Sequence, residues 1–178
     1  MAVLIEAISV VVKRSSVDEK FNGGWQAFAD DVPNDTLCAD DEIVRVGFMS
    51  PADVESYVQH LESLGLTYVR DNMAQDMVVV DQQRGLAISC DWAETGRISL
   101  DGSSDKIITA CRASDSTLDT MISPVGWQYE GSLSQTFAFA PSEHVDKSLK
   151  FLRHEDGVDV YLNTLTEEEV YLGRTGEW

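Results

Sequence analysis

Three features of the sequence predict an α+β fold with a largely antiparallel sheet and about three helices packed on it. Apolar residues recur at steps of three and four between 17 and 28 and between 54 and 64, the period of a helix with one buried face. Most other apolar residues fall in Val- and Ile-rich runs or alternate with polar ones, as in buried and half-buried strands. Turn-like segments at 82–85, 101–105 and 131–132 divide these runs into hairpins. The expected order is β-α-β-α-β over residues 3–69, then hairpins.

Residues 3–13 read as one strand. Val17, Phe21, Trp25 and Phe28 follow on one helical face, interrupted by Gly23 and Gly24. Each glycine costs about 1 kcal/mol in a helix relative to alanine, so a short helix, a break and a second helical turn from Trp25 are expected. Ile43 to Phe48 is a strand. Ser50-Pro51-Ala52-Asp53 then supplies a hydroxyl cap, a proline where no amide bond is lost, and an acid facing the helix dipole. The helix runs from about 51 to 64 on a stripe of Val54, Tyr57, Val58, Leu61 and Leu64, and Gly65 ends it.

Leu66 to Val69 starts another strand. Met77 to Val80 and the alternating Leu86, Ile88, Cys90 and Trp92 make a hairpin, and Ile98 and Leu100 with Ile107 to Cys111 make a second. Residues 114–120 are polar, a loop or short helix. Trp127 and Tyr129 with Phe137 and Phe139 read as a third strand pair. Ser142 caps an expected helix carrying Val145, Leu149 and Leu152 and ended by Gly157, and Val158 to Leu162 with Val170 to Leu172 form a last hairpin around an acidic turn. The element order of the first 90 residues is similar to the β-α-β-β-β modules of the vicinal oxygen chelate family, a likeness of topology that bears on fold and not on function. The length suits one domain, 1–178, or two packed lobes of about 1–95 and 96–178.

Charge limits the partners. The 178 residues hold 31 Asp and Glu against 13 Lys and Arg, a net charge of -18. Residues 1–89 carry 15 acidic and 6 basic residues and residues 90–178 carry 16 and 7, so the acidity belongs to the whole fold and not to a tail. Such a field repels nucleic acid and anionic membranes and favours a basic protein partner. Lys13 with Arg14, and Lys147, Lys150 and Arg153 on the expected late helix, are the only basic concentrations. No apolar stretch reaches a membrane span, and no basic leader precedes the first apolar run, so a cytoplasmic location is expected.

Candidate chemistry is sparse. His60, His144 and His154 do not fall at metal-ligand spacing, and Cys38, Cys90 and Cys111 lack a C-x-x-C pair. Cys90 and Cys111 are in phase with core residues, whereas Cys38 lies in a polar loop and is expected to be accessible. Phosphate-binding, hydrolase-elbow and zinc-protease motifs are absent, and no cofactor or metal is expected. Asn34-Asp35-Thr36 matches a glycosylation sequon in a chain with no other secretory feature.

The leading expectation is therefore a non-enzymatic interaction protein, of inhibitor or immunity kind, docking a basic partner through Asp40, Asp41 and Glu42, through Glu167, Glu168 and Glu169, and through Trp178. The alternative is a small-molecule binding protein or enzyme with a pocket between two lobes, lined by Asp91, Trp92, Arg97 or Tyr129.

Overall fold

The computed structural model describes residues 1–116, 120–136, 149–155, 158–163 and 169–173. The fold is α+β, with mostly antiparallel strands. In chain order the elements are β1 (Ala2–Ile5), β2 (Ile8–Lys13), α1 (Arg14–Lys20), α2 (Gly24–Asp31), β3 (Cys38–Ala39), β4 (Ile43–Phe48), α3 (Pro51–Ser63), β5 (Val69–Arg70), β6 (Met73–Ala74), β7 (Met77–Asp81), β8 (Gly85–Leu86), β9 (Ala93–Ser99), β10 (Ile107–Ala113), β11 (Met121–Ile122), α4 (Leu133–Thr136), β12 (Leu149–Glu155), β13 (Val158–Asn163) and β14 (Glu169–Gly173). No helix among the described residues is long and apolar enough to cross a membrane.

Two sheets stack behind a helical layer. The larger has the order β3-β4-β2-β7-β8 and the second the order β11-β1-β10-β9, in which β1 and β11 are the one parallel pair among the named strands. Ile8, Val10 and Val12 of β2, with Val44 and Val46 of β4, meet Val17, Phe28, Val54, Tyr57, Val58 and Leu61 from the helices. The intervening Val11, with Val78 and Val80 of β7, meets Val3, Ile5 and Cys111 of the second sheet. Both faces of β2 are thus covered, which is why its sequence is mainly apolar, broken only by Ser9 before Lys13, and does not alternate. On the outer side of the second sheet Leu4 and Ile108 pack with Tyr129 and Trp127.

The α3 boundaries follow from their local chemistry. The Ser50 side chain accepts the Asp53 amide at 3.2 Å, and Pro51 occupies the first turn. At the other end Gly65 has φ of +102°, its amide donates to the Glu62 carbonyl, and the Leu66 amide donates to the Leu61 carbonyl. This 5→2 and 6→1 pair closes the helix, and buried Leu61 and Leu66 lie in one apolar cluster. Gly23, at φ of +93°, separates α1 from α2 as expected.

Several expectations are corrected. The expected strand 3–13 is two strands in different sheets, because the chain turns at Ala7, whose φ is +49°. The strand expected at 66–69 begins at Val69. Only Gly85–Leu86 of the strand expected at 86–92 is strand, and the next strand begins at Ala93. Trp127 and Tyr129 lie in turns, and Phe137 and Phe139 fall outside the described residues. The expected late helix is, over its described part, strand β12, which pairs with β13 as β13 pairs with β14. Lys150, Arg153 and His154 are therefore strand residues, while Ser142, His144, Val145, Lys147 and Gly157 lie outside the described residues.

Candidate functional site

Two charged residues interrupt apolar runs, Glu6 after Ile5 and Arg45 between Val44 and Val46, and the fold brings them together. Alternation along β4 turns Val44 and Val46 to the helices and Arg45 to the opposite face. Arg45 is 3% exposed. Its Nε donates to Ser9 Oγ at 2.9 Å, Nη1 to the Thr36 carbonyl at 3.0 Å and Nη2 to the Glu6 carbonyl at 3.2 Å. Burial lowers the pKa of its guanidinium, opposed by Cys38 and Glu6. A Cβ at Gly47, the next residue on the same face, would collide with the guanidinium, so this strand glycine marks a close approach.

Neighbouring groups fix the walls. Glu6 Oε1 accepts the Ser134 amide at 2.9 Å and its hydroxyl at 2.8 Å. Asn34 Nδ2 donates to the Gly47 carbonyl at 2.9 Å, and the Gly47 amide donates to Thr36 Oγ1 at 2.7 Å. The Asn34 and Thr36 side chains of the sequon thus stitch a loop to β4. Together Glu6, Ala7, Arg45, Gly47 and Phe48, with residues 124–127, line an open cleft of about 550 Å³. Met49 and Val125 on this cleft are two of the few large apolar residues left exposed among the described ones.

A second cleft of about 490 Å³ continues from the first, sharing Asn34, Phe48 and Asp53. It is bounded by the end of α2 and the first turns of α3. His60 Nε2 meets Asp31 Oδ2 at 2.6 Å. The Tyr57 ring lies 5.1 Å from that of Phe48 and 6.4 Å from that of His60, centroid to centroid. The Tyr57 hydroxyl is buried and has no hydrogen-bond partner among the described residues. Burial, and after it the Asp31 charge, raise its pKa. The two clefts make one groove with an apolar and aromatic floor and with Glu6, Asp31 and Asp53 on it. These are means of recognition by charge, stacking and hydrogen bonding.

The acids singled out from the sequence divide. Asp40 is buried, and its Oδ1 accepts the Glu42 and Ile43 amides at 2.7 Å each, so this carboxylate holds the turn into β4 and does not face outward. Asp41 and Glu42 are exposed and border an open cavity of about 520 Å³ with Lys13, Asp91 and Trp92. Glu169 pairs with Leu162 through the backbone of β14, while Glu167, Glu168 and Trp178 lie outside the described residues. Arg97 lies in a depression on β9 and β10, and Tyr129 is buried. Of the four residues expected to line a small-molecule pocket, Asp91 and Trp92 share one cavity, while Arg97 and Tyr129 lie elsewhere.

Two of the cysteines, Cys38 and Cys90, also part from expectation. Cys38 is buried in β3, and its pKa is pushed up to about 11 by burial, against the lowering effect of Arg45. Cys111 is buried and reaches about 12 by burial. Cys90 is only half-buried. Among the described residues no three His, Cys, Asp or Glu side chains gather as metal ligands.

The sequence signal for the groove was present in the charges at Glu6 and Arg45 and in Gly47 within an apolar strand. Compared with known protein families, curated proteins and solved structures, the chain matches none of them.

Proposed function

We propose that the chain is a non-enzymatic interaction protein that docks a basic protein partner. The observation that carries this reading is the groove itself, where exposed Met49 and Val125 lie beside Glu6, Asp31 and Asp53 on a chain of net charge -18. Much of the positive charge is engaged internally. Lys20 pairs with Asp76, Arg112 with Glu94 and Lys106 with Glu130, while Lys13 and Arg14 lie over the rings of Trp92 and Trp25. The surplus of acids is then what an approaching partner meets, and steering by that field depends on ionic strength.

Capture on the immobilised protein, identification of the captured protein and rebinding of the purified pair test the reading. A partner rich in Lys and Arg is expected, with association slowing steeply as the Debye length falls from about 10 Å at 0.1 M salt to about 3 Å at 1 M. Reversal of Asp41 and Glu42 should slow association and leave thermal unfolding nearly unchanged, since exposed acids contribute little to stability, and reversal of residues 167–169 should slow association as well. A partner indifferent to salt and to both reversals would refute it. A second reading, a small ligand in the cleft of about 550 Å³, is favoured by the buried Arg45 that lines it.

A further inference from the structure

We infer that the His60 end of the groove is a pocket for one arginine side chain of the basic partner, its guanidinium lying against the Phe48 ring and meeting Asp31, Asp53 and the Tyr57 hydroxyl. This rests on the reading of the chain as a binder of basic proteins and names the group that it binds.

Two carboxylates reach this cavity from different elements, Asp31 from the end of α2 and Asp53 from the first turn of α3, and its lining contains no lysine or arginine. An anionic ligand is thereby disfavoured. A bound metal is disfavoured as well, because no three ligating side chains gather among the described residues. Each helix end holds its acid in place: Asp53 Oδ2 accepts the Ser50 hydroxyl at 2.9 Å, and Asp31 is held by His60 at 2.6 Å.

The independent pointer to a ligand is Tyr57. The residue is 5% exposed, lines the cavity, and its hydroxyl lacks a partner among the described residues. A buried hydroxyl without a partner costs free energy that an incoming hydrogen-bonding group recovers. His60, exposed and stacked on Tyr57, stands beside Asp31 at the mouth of this cavity.

The shape of the donor decides between the two basic side chains. A guanidinium is flat, stacks on aromatic faces and carries five N–H groups in a fixed fork, enough for two carboxylates and the tyrosine oxygen together. An ammonium is compact, strongly hydrated and stacks poorly. The Phe48 ring beside two acids and a tyrosine hydroxyl therefore fits arginine better than lysine.

Titration of the ¹⁵N-labelled protein with Nα-acetyl-arginine methylamide, and with its lysine and citrulline counterparts, tests the assignment by chemical-shift changes. Saturable shifts are expected on residues around Asp31, Phe48, Tyr57 and His60, with citrulline at least about tenfold weaker than arginine. Asp31→Asn and Asp53→Asn should each weaken arginine binding about three- to tenfold, and Tyr57→Phe about twofold or more, with spectra otherwise those of a folded protein. Absence of saturable shifts, shifts scattered over the acidic surface, or lysine binding as well as arginine would overturn it. If the captured partner still binds in a salt-dependent way to Asp31→Asn and Asp53→Asn, the pocket fails while the broader reading stands; if the parent protein captures no basic partner, the broader reading fails by itself.

Discussion

Replacing Asp76 by asparagine would remove one charge and almost no volume from the point where α1 joins the start of β7. The carboxylate is 5% exposed. Oδ1 accepts the Ser16 hydroxyl at 2.8 Å, Oδ2 accepts the Thr67 amide at 2.8 Å, and Lys20 Nζ lies 2.7 Å from both oxygens. Burial by itself would raise the Asp76 pKa, but the hydrogen bonds from Lys20, Ser16 and Thr67 outweigh it and hold the group below the usual carboxylate range. An amide can keep one acceptor for Thr67 and turn its NH₂ to Ser16, whose hydroxyl rotates to accept, but it leaves Lys20 without a carboxylate. Two bonds then fall from charge-assisted to neutral strength, about 1 kcal/mol each, and the partly exposed Lys20 pair adds at most about 1 kcal/mol.

The expected loss is about 2–3 kcal/mol, or roughly 5–10 °C in Tm for a chain of this size, read by urea and thermal unfolding. Lys20→Met, which removes only the exposed partner, should cost less than about 1 kcal/mol. Because the folded carboxyl binds its proton more weakly than the unfolded one, its contribution is complete above the unfolded pKa, about 3.9, and is lost as pH falls through the lower folded value. The gap between parent and Asp76→Asn should therefore narrow as pH falls below about 4. A variant within about 0.5 kcal/mol of the parent at pH 7, or one no worse than Lys20→Met, would refute this reasoning.

Two further outcomes are expected. Ala7, at φ of +49°, carries a cost of about 1–2 kcal/mol that glycine does not, offset in part by glycine's greater freedom when unfolded. Ala7→Gly should thus leave stability unchanged or raise it by up to about 1 kcal/mol, whereas Ala7→Val should lower it, and the opposite order in urea unfolding would contradict the backbone argument. With a small thiol reagent near pH 8, the native protein should label at half-buried Cys90 well before Cys38 and Cys111, whose burial raises their pKa to about 11 and about 12. Peptide mapping that finds Cys38 labelled as fast as Cys90 would show that β3 opens readily.

Signals contained within a few residues were readable, and those that depend on distant partners were not. The cap at Ser50 and the stop at Gly65 involve neighbours in sequence, so α3 was legible almost to its ends. Ile8 to Val12 are buried from both sides, which erases the alternation that would have shown the turn at Ala7. Leu149 and Leu152 are three apart, as on a helix, yet Leu149 and Phe151 alternate as on a strand. The register shift between Phe151 and Arg153 absorbs the misplaced Leu152, and pairing with β13 decides in favour of the strand. In the sequence Asp40 looks like its neighbours Asp41 and Glu42, since nothing in an acidic run tells which carboxylate will turn back to cap the backbone. Glu6 and Arg45 are charges beside or within apolar runs, a signal left unread in the sequence, and only the fold shows that they meet.

The path of residues 2–13 also sets an order of events during synthesis. β2 finds its neighbour β4 as soon as residues 43–48 emerge, whereas β1 pairs through Ala2 with Arg112 and Met121 and through Ile5 with Thr109. At about 5–20 residues per second, strand 2–5 waits roughly 3–13 s after β2 could be paired before its own partner leaves the ribosome. Throughout that interval Val3, Leu4 and Ile5, wholly buried in the finished fold, form an unpaired apolar strand. The nascent chain is most open to wrong association and to chaperone capture in that interval, and pairing at such long sequence separation makes closure of the second sheet a slow step in folding.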